Sequence, residues 1–173
     1  AIVMQAVAQS GAGFSGASAV HMNIFGLHPV VVFGSDEQKR RFLPPLIAGN
    51  EKACFAVTEP DVGLDTTRLK TRAVRDGNGY VISGRKIWTS TGQVAEKMLI
   101  LTRTTPFEEA PRPSSGMTLF YTDLDRSRSR CAKFIRWAAP RSIRTWCLST
   151  GSKCRWRTGS ATKGAASSTF CTA

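Results

Sequence analysis

The sequence predicts an α+β fold, helices first and an antiparallel β region after them. Three observations carry this. Apolar segments with helix punctuation occupy residues 1–49. From Ala53 the stretches become short and strand-like. Between two of them lies Asp76-Gly77-Asn78-Gly79, the turn chemistry of a hairpin. At 173 residues the chain fits one domain or a piece of a larger one, and it can bury a core.

Ala1–Gln9 is apolar almost throughout and is expected to end at Gly11-Ala12-Gly13. Ser15–Phe25 and Val30–Phe33 follow as two apolar segments separated by Gly26 and Pro29. Ser35 is an N-cap followed by the acids Asp36 and Glu37, and Phe42, Leu43, Leu46 and Ile47 then share one helical face. Gly49-Asn50 closes that helix. In the β region, Lys70–Arg75 and Gly79–Ser83 flank the hairpin turn, and Lys86–Thr89, Met98–Thr102 and Met117–Thr122 are further strands. Thr104–Gly116, with three prolines, is a loop.

The formal charge of +12 points at first to nucleic acid or an anionic surface. Its distribution changes that reading. Residues 1–128 hold 15 basic and 12 acidic side chains, whereas residues 129–173 hold nine basic ones and no acid. The same tail carries Cys131, Cys147, Cys154 and Cys171 with Trp137, Trp146 and Trp156. No two of these cysteines have zinc-ligand spacing and no histidine accompanies them, which excludes a zinc module. No apolar run reaches the roughly 20 residues of a membrane span, and the first residues carry no basic leader or cleavage site, so a cytoplasmic protein is expected, its true start lying upstream. Dinucleotide-type glycine fingerprints and phosphate-loop lysine motifs are absent. Lys39-Arg40-Arg41 reads as a solvated helix face, His21 and His28 as packing or capping groups, Cys54 as a core residue and Glu59 as structural.

Two stretches carry chemistry. One is Phe55-Ala56-Val57-Thr58-Glu59-Pro60-Asp61-Val62-Gly63-Leu64-Asp65; the other is Gly84-Arg85-Lys86-Ile87-Trp88-Thr89-Ser90-Thr91-Gly92. With Gln38–Leu46 upstream, their order and spacing resemble the acyl-CoA dehydrogenase family over about residues 1–128. The resemblance implies a helical N-terminal domain, a central β domain and a C-terminal helical bundle, with FAD held mainly at the β domain. It also implies a reaction: a carboxylate removes the α-proton of an acyl thioester and a hydride leaves the β-carbon for the flavin. Carried over by motif position, the cofactor contacts are Phe55, Ala56, Val57, Thr58, Gly63, Leu64, Trp88, Thr89 and Ser90. This chain departs from the family pattern at Val62, Leu64 and Arg68, where small residues or serine are usual, and at Ser90, where threonine is common.

The pattern collapses near Arg126–Arg130. If each printed codon there begins one nucleotide late, Trp137, always TGG, requires an intended codon ending in TG, which is Met if the Arg136 codon ended in A. The same shift from Cys147 to Gly164, with permitted synonymous codons, reads Phe-Ile-Asp-Gly-Leu-Glu-Val-Pro-Val-Glu-Asp and then Arg-Ile-Gly-Asp-Glu-Gly, a family-like string with its acids restored. The expected organisation is therefore 1–51 as a partial helical domain, 52–128 as a partial flavin-binding β domain and 129–173 as an out-of-frame tail without regular structure. The β domain is then incomplete and the C-terminal bundle absent. The resemblance puts the catalytic glutamate in that bundle, so no catalytic residue and no metal ligand is assigned. For a complete family member it implies an acyl-CoA substrate, an electron acceptor and a homo-oligomer. Two other readings are a basic nucleic-acid-binding protein using the tail's arginines and tryptophans, and a related flavoprotein such as an acyl-CoA oxidase.

Overall fold

The computed structural model describes residues 2–77, 79–127, 129–134, 144–154 and 169–172. Helix α1 (Ile2–Val7) passes through a wide turn at Ala8–Ala12, where Gly11 takes φ +88°, into α2 (Gly13–Phe33). The two segments expected on either side of Gly26 and Pro29 are one 21-residue helix. A proline inside a helix removes one backbone donor and crowds the carbonyl four residues earlier, at a cost of about 3 kcal/mol. Here Leu27 and Val30 pack into a shared apolar cluster, and that packing outweighs the lost bond.

Helix α3 (Asp36–Ile47) starts at Ser35 as the sequence predicts. Ser35 Oγ accepts from the Gln38 amide (3.2 Å), and Gln38 Oε1 accepts from the Ser35 amide (2.8 Å). This reciprocal box satisfies two amides that would otherwise be orphaned.

The strands are β1 (Ala53–Ala56), β2 (Arg72–Asp76), β3 (Gly79–Thr89), β4 (Lys97–Arg103), β5 (Met117–Asp123), β6 (Ser129–Phe134), β7 (Arg144–Cys154) and β8 (Thr169–Thr172). The hairpin forms with Arg72 opposite Ser83 and Asp76 opposite Gly79, and Gly77 supplies a φ of +59° in its turn. The two strands expected at Gly79–Ser83 and Lys86–Thr89 are one continuous strand through Gly84. Thr71 lies so close to Gly84 that a Cβ there would sit 2.3 Å from its Oγ1. Glycine is thus required for contact rather than for a break.

The sheet is mixed, where an antiparallel one was expected. Its order is β6-β7-β3-β2-β4-β5-β8, with β1 also on β4. Pairs β2–β3, β3–β7, β4–β5 and β6–β7 are antiparallel, while β1–β4, β2–β4 and β5–β8 are parallel. The cause is a shared edge. β1 pairs with β4 from Lys97 to Ile100, and β2 takes over at Arg103. Residues 129–173, expected to carry no element, contribute β6, β7 and β8. Backbone pairing needs only a free strand edge, and β3 and β5 each provide one. Trp137 and Trp156 fall outside the described residues.

Alternation along β4 and β5 builds two cores. Met98, Ile100 and Phe120 join Cys54, Ala56, Ala73 and Ile82 on one face, where Tyr80 meets Phe120 edge-on at 5.0 Å. Leu99 and Tyr121 face the helices with Val30 and Phe42, and the Phe42 and Tyr121 rings are 4.9 Å apart. Leu99 is wholly buried on the helix side. Leu99→Ala is expected to cost about 2–5 kcal/mol, and Val94→Ala at an exposed site about 0.5 kcal/mol or less; urea unfolding followed by circular dichroism measures both.

Candidate functional site

After β1 the chain leaves the sheet at Val57 and turns back on itself over Pro60-Asp61. The Glu59 and Val62 amides each donate to the other's carbonyl at 3.2 Å, closing the turn. Asp65 then caps a short helical turn, Thr66–Arg68, by accepting from the Thr67 amide (3.2 Å). The second motif block meets the first directly, because the Ile87 amide donates to Thr58 O at 2.8 Å. The next residue, Trp88, is left-handed at φ +59°, as is Thr91 at +65°. For a bulky L-residue that conformation costs about 1–3 kcal/mol and marks a place where surrounding structure overrides local preference. The β3–β7 register shifts at the same place, between Lys86 and Thr89.

The nine residues expected to form the site divide into three groups. Thr58, Trp88 and Ser90 lie together at the junction of the two blocks, Thr58 and Ser90 half-buried and the Trp88 indole 40% exposed. Thr89 beside them is fully buried, and its Oγ1 has no partner among the described residues. Phe55 packs with the helices, Ala56 is sealed in the opposite core and Val57 is half-buried. Gly63 and Leu64 are exposed on the turn, with open space around the Gly63 α-carbon.

Beneath this junction sits a buried ion pair whose bonds the sequence alone did not reveal. Lys86 Nζ donates to Glu59 Oε1 and to Val57 O, each at 2.9 Å, with both side chains almost wholly excluded from solvent. Glu59 also accepts from the Thr71 amide (2.9 Å), the Thr71 hydroxyl (2.5 Å) and the Lys70 amide (2.6 Å). Burial alone would raise the Glu59 carboxyl, but the Thr71 hydroxyl, the Lys86 charge and the Lys70 amide together bring it below its ordinary 4.5. Burial pushes the Lys86 ammonium down, and Glu59 pulls it back in part. A carboxylate with four donors is a structural anchor and is not free to act as a base.

Alongside the turn opens a cleft of about 500 Å³ lined in part by Asp61, Arg68, Lys70, Arg103 and Phe107. Arg103 is buried and donates to the carbonyls of Thr67 (2.5 Å), Pro113 (2.8 Å) and Ser115 (3.1 Å), pinning the loop between β4 and β5. Its guanidinium also lies 5.2 Å from the Phe107 ring centre. The sequence pattern held no signal for this arginine's role, since the hydrogen bonds of its side chain, including one to Thr105 O at 3.5 Å, go to backbone carbonyls. Among the described residues no group of three His, Cys, Asp or Glu could hold a metal.

Comparison with known proteins identifies the class. Residues 1–50 match the N-terminal domain of acyl-CoA dehydrogenases and residues 54–137 match their middle domain. The chain belongs to the acyl-CoA dehydrogenase family. It is 37% identical over 109 residues to acyl-CoA dehydrogenase FadE26 of Mycobacterium tuberculosis, covering 62% of this chain and 27% of that protein. Its fold is similar to a glutaryl-CoA dehydrogenase from Mycobacterium smegmatis in complex with FADH2 (TM-score 0.68, 26% identity, 82% of this chain and 35% of that one). It is also similar to the prolyl acyl carrier protein oxidase AnaB (TM-score 0.70, 29% identity, 82% of this chain and 38% of that one). The chain thus spans between a quarter and two fifths of these relatives.

The buried pair has a measurable pH signature. Because the folded Glu59 carboxyl lies below 4.5, its ionised form stabilises the protein above that pH, and the contribution is lost as pH falls through the lowered value. Thermal melts from pH 6 to 3 should show this acid limb, and Glu59→Gln should flatten it. Lys86→Met, which strands a buried carboxylate, is expected to cost about 3–5 kcal/mol by urea unfolding at pH 7.

Proposed function

We propose that this chain is the flavin-holding part of an enzyme that dehydrogenates an acyl-CoA thioester between its α- and β-carbons. The observation that carries the reading is the 2.8 Å Ile87–Thr58 bond, which brings the half-exposed Trp88 indole beside the Thr58 segment. The residues fit an isoalloxazine ring. Trp88 offers a broad apolar face, the buried Thr89 hydroxyl lacks a partner among the described residues, and Thr58 and Ser90 add hydroxyls. FAD, when bound, would supply the hydride acceptor. The chain's own residues would orient the ring, exclude water from one face and offer donors from the exposed turn at Gly63-Leu64. Leu64 can offer only its amide where the family usually has a hydroxyl.

The α-proton needs a base at the substrate, and Glu59 is committed to four donors. The base is therefore assigned to a segment outside this chain, in the C-terminal helical bundle that the family pattern supplies. We read residues 129–173 as the out-of-frame continuation of the β domain. The lack of acids after Asp125 supports this, as do the family-like strings recovered by one uniform shift. An oxidase variant of the same chemistry is the second reading, favoured by the similarity to AnaB.

The DNA through the codons for Arg126–Arg130 tests the frame, and stops or unrelated sequence in the shifted frame would overturn it. The 173-residue chain, purified alone, is expected to emerge colourless and to give no flavin bleaching with acyl-CoA. The frame-restored protein is expected to be yellow and to bleach. A colourless, folded frame-restored protein would defeat the cofactor assignment.

A further inference from the structure

Three consecutive residues of the first motif block, Val57, Thr58 and Glu59, are each held by one of two consecutive residues of the second. Lys86 Nζ takes Val57 O and Glu59 Oε1, and the Ile87 amide takes Thr58 O. Trp88 follows at once, left-handed near the end of β3. The far side of the pair is equally fixed, since Glu59 is held by Lys70 and Thr71, and Thr71 fills the space against Gly84 earlier on the same strand. The pair and Thr71 thus meet β3 on both sides of Arg85, Lys86 through its ion pair and Gly84 through Thr71, with Lys86 two residues before Trp88.

We propose that the Glu59–Lys86 pair is a positioning device that sets the orientation of Trp88 and locks its turn onto the Thr58 segment. An apolar pair of similar volume would fill the same space without direction, because hydrophobic contact does not fix rotation. An ammonium does fix it, since two of its three N–H groups must meet Val57 O and Glu59 Oε1. The pair acts through Trp88 and touches no substrate. This rests on the flavin reading for its purpose, but the positioning itself is a property of the chain alone.

The test uses the full 173-residue chain, with Trp88 emission isolated as the difference from Trp88→Phe. The deciding variant is the double replacement Glu59→Leu with Lys86→Met, which leaves no buried charge unpaired and keeps apolar bulk. It is expected to retain far-UV circular dichroism and cooperative melting. Its Trp88 emission should shift to the red, and acrylamide quenching of Trp88 should rise about twofold as the turn loosens. The parent should show the same red shift on acidification through the Glu59 titration, and the double variant should not. The groups around Glu59 are Lys86 from β3, the Lys70 and Thr71 donors, and exposed Asp61, whose carboxylate lies 3.7 Å from Lys70 Nζ; Asp61→Asn should keep the acid response.

A folded double variant with parental Trp88 emission and quenching would reduce the pair to a packing role and overturn the proposal. If the double variant does not fold, the parent's acid arm decides alone: Trp88 emission unchanged through the Glu59 titration overturns it as well. Neither signal involves flavin, so positioning can fail while the cofactor assignment stands. A colourless frame-restored protein would remove the assignment and leave the positioning intact.

Discussion

A carboxylate and an ammonium can leave water together only if their remaining lone pairs and protons find partners, and the segment from Val57 to Thr71 is shaped by that demand. Isolated, each ion would cost several kcal/mol to bury. Glu59 answers with four donors drawn from β3 and the loop before β2, and Lys86 with a carboxylate and a carbonyl. Those bonds come from residues far apart in sequence, so satisfying one buried pair fixes the path of the chain between β1 and β2. They also commit the Glu59 carboxylate wholly to structure. The same constraint that builds the site thus excludes Glu59 from its chemistry.

The second constraint is the shared edge of β4. β1 occupies the first half of that edge and β2 only its end, so the fifteen residues from Val57 to Thr71 must leave the sheet and return. They do so as a turn at Pro60, a capped helical turn at Thr66–Arg68 and the wall of a cleft held by Arg103. Arg103 ties down the last part of this excursion: its amide donates to Thr71 O at 2.8 Å, and its side chain reaches Thr67 O. A buried guanidinium whose bonds to the loop go to backbone carbonyls lets the loop sequence vary while its course is kept.

Local chemistry was the legible part of the sequence. The Ser35 cap, the Asp76–Gly79 hairpin and the strands at Met98 and Met117 depend on residues a few positions apart, and each is present. What local pattern missed is long-range. Pro29 looks like a helix stop until Leu27 and Val30 find partners across the core, and Gly84 looks like a strand break until Thr71 is placed against it. The parallel pairing of β1 cannot be read from its own four residues, because direction is set by where β4 returns. In the site, the two motif blocks were legible as blocks, but their juxtaposition through Thr58 and Ile87, and the left-handed Trp88 that follows, are products of the fold.

The strands formed by residues 129–173 have to be reconciled with a segment read as out of frame. Sheet pairing is a backbone property, and any chain with tolerable side chains can dock on an unpaired edge. Among the ladders, β3–β7 shifts register twice, between Ile82 and Gly84 and again between Lys86 and Thr89, whereas β2–β3, β4–β5, β6–β7 and β5–β8 run without a shift. The match to the family's middle domain ends at residue 137, twelve residues beyond the last acid at Asp125 and inside the segment 129–173. The tail's +9 charge therefore belongs to a segment that joins the sheet through its backbone, and it is a poor guide to a binding partner. Over residues 1–128, where the ladders stay in register, the net charge is only +3.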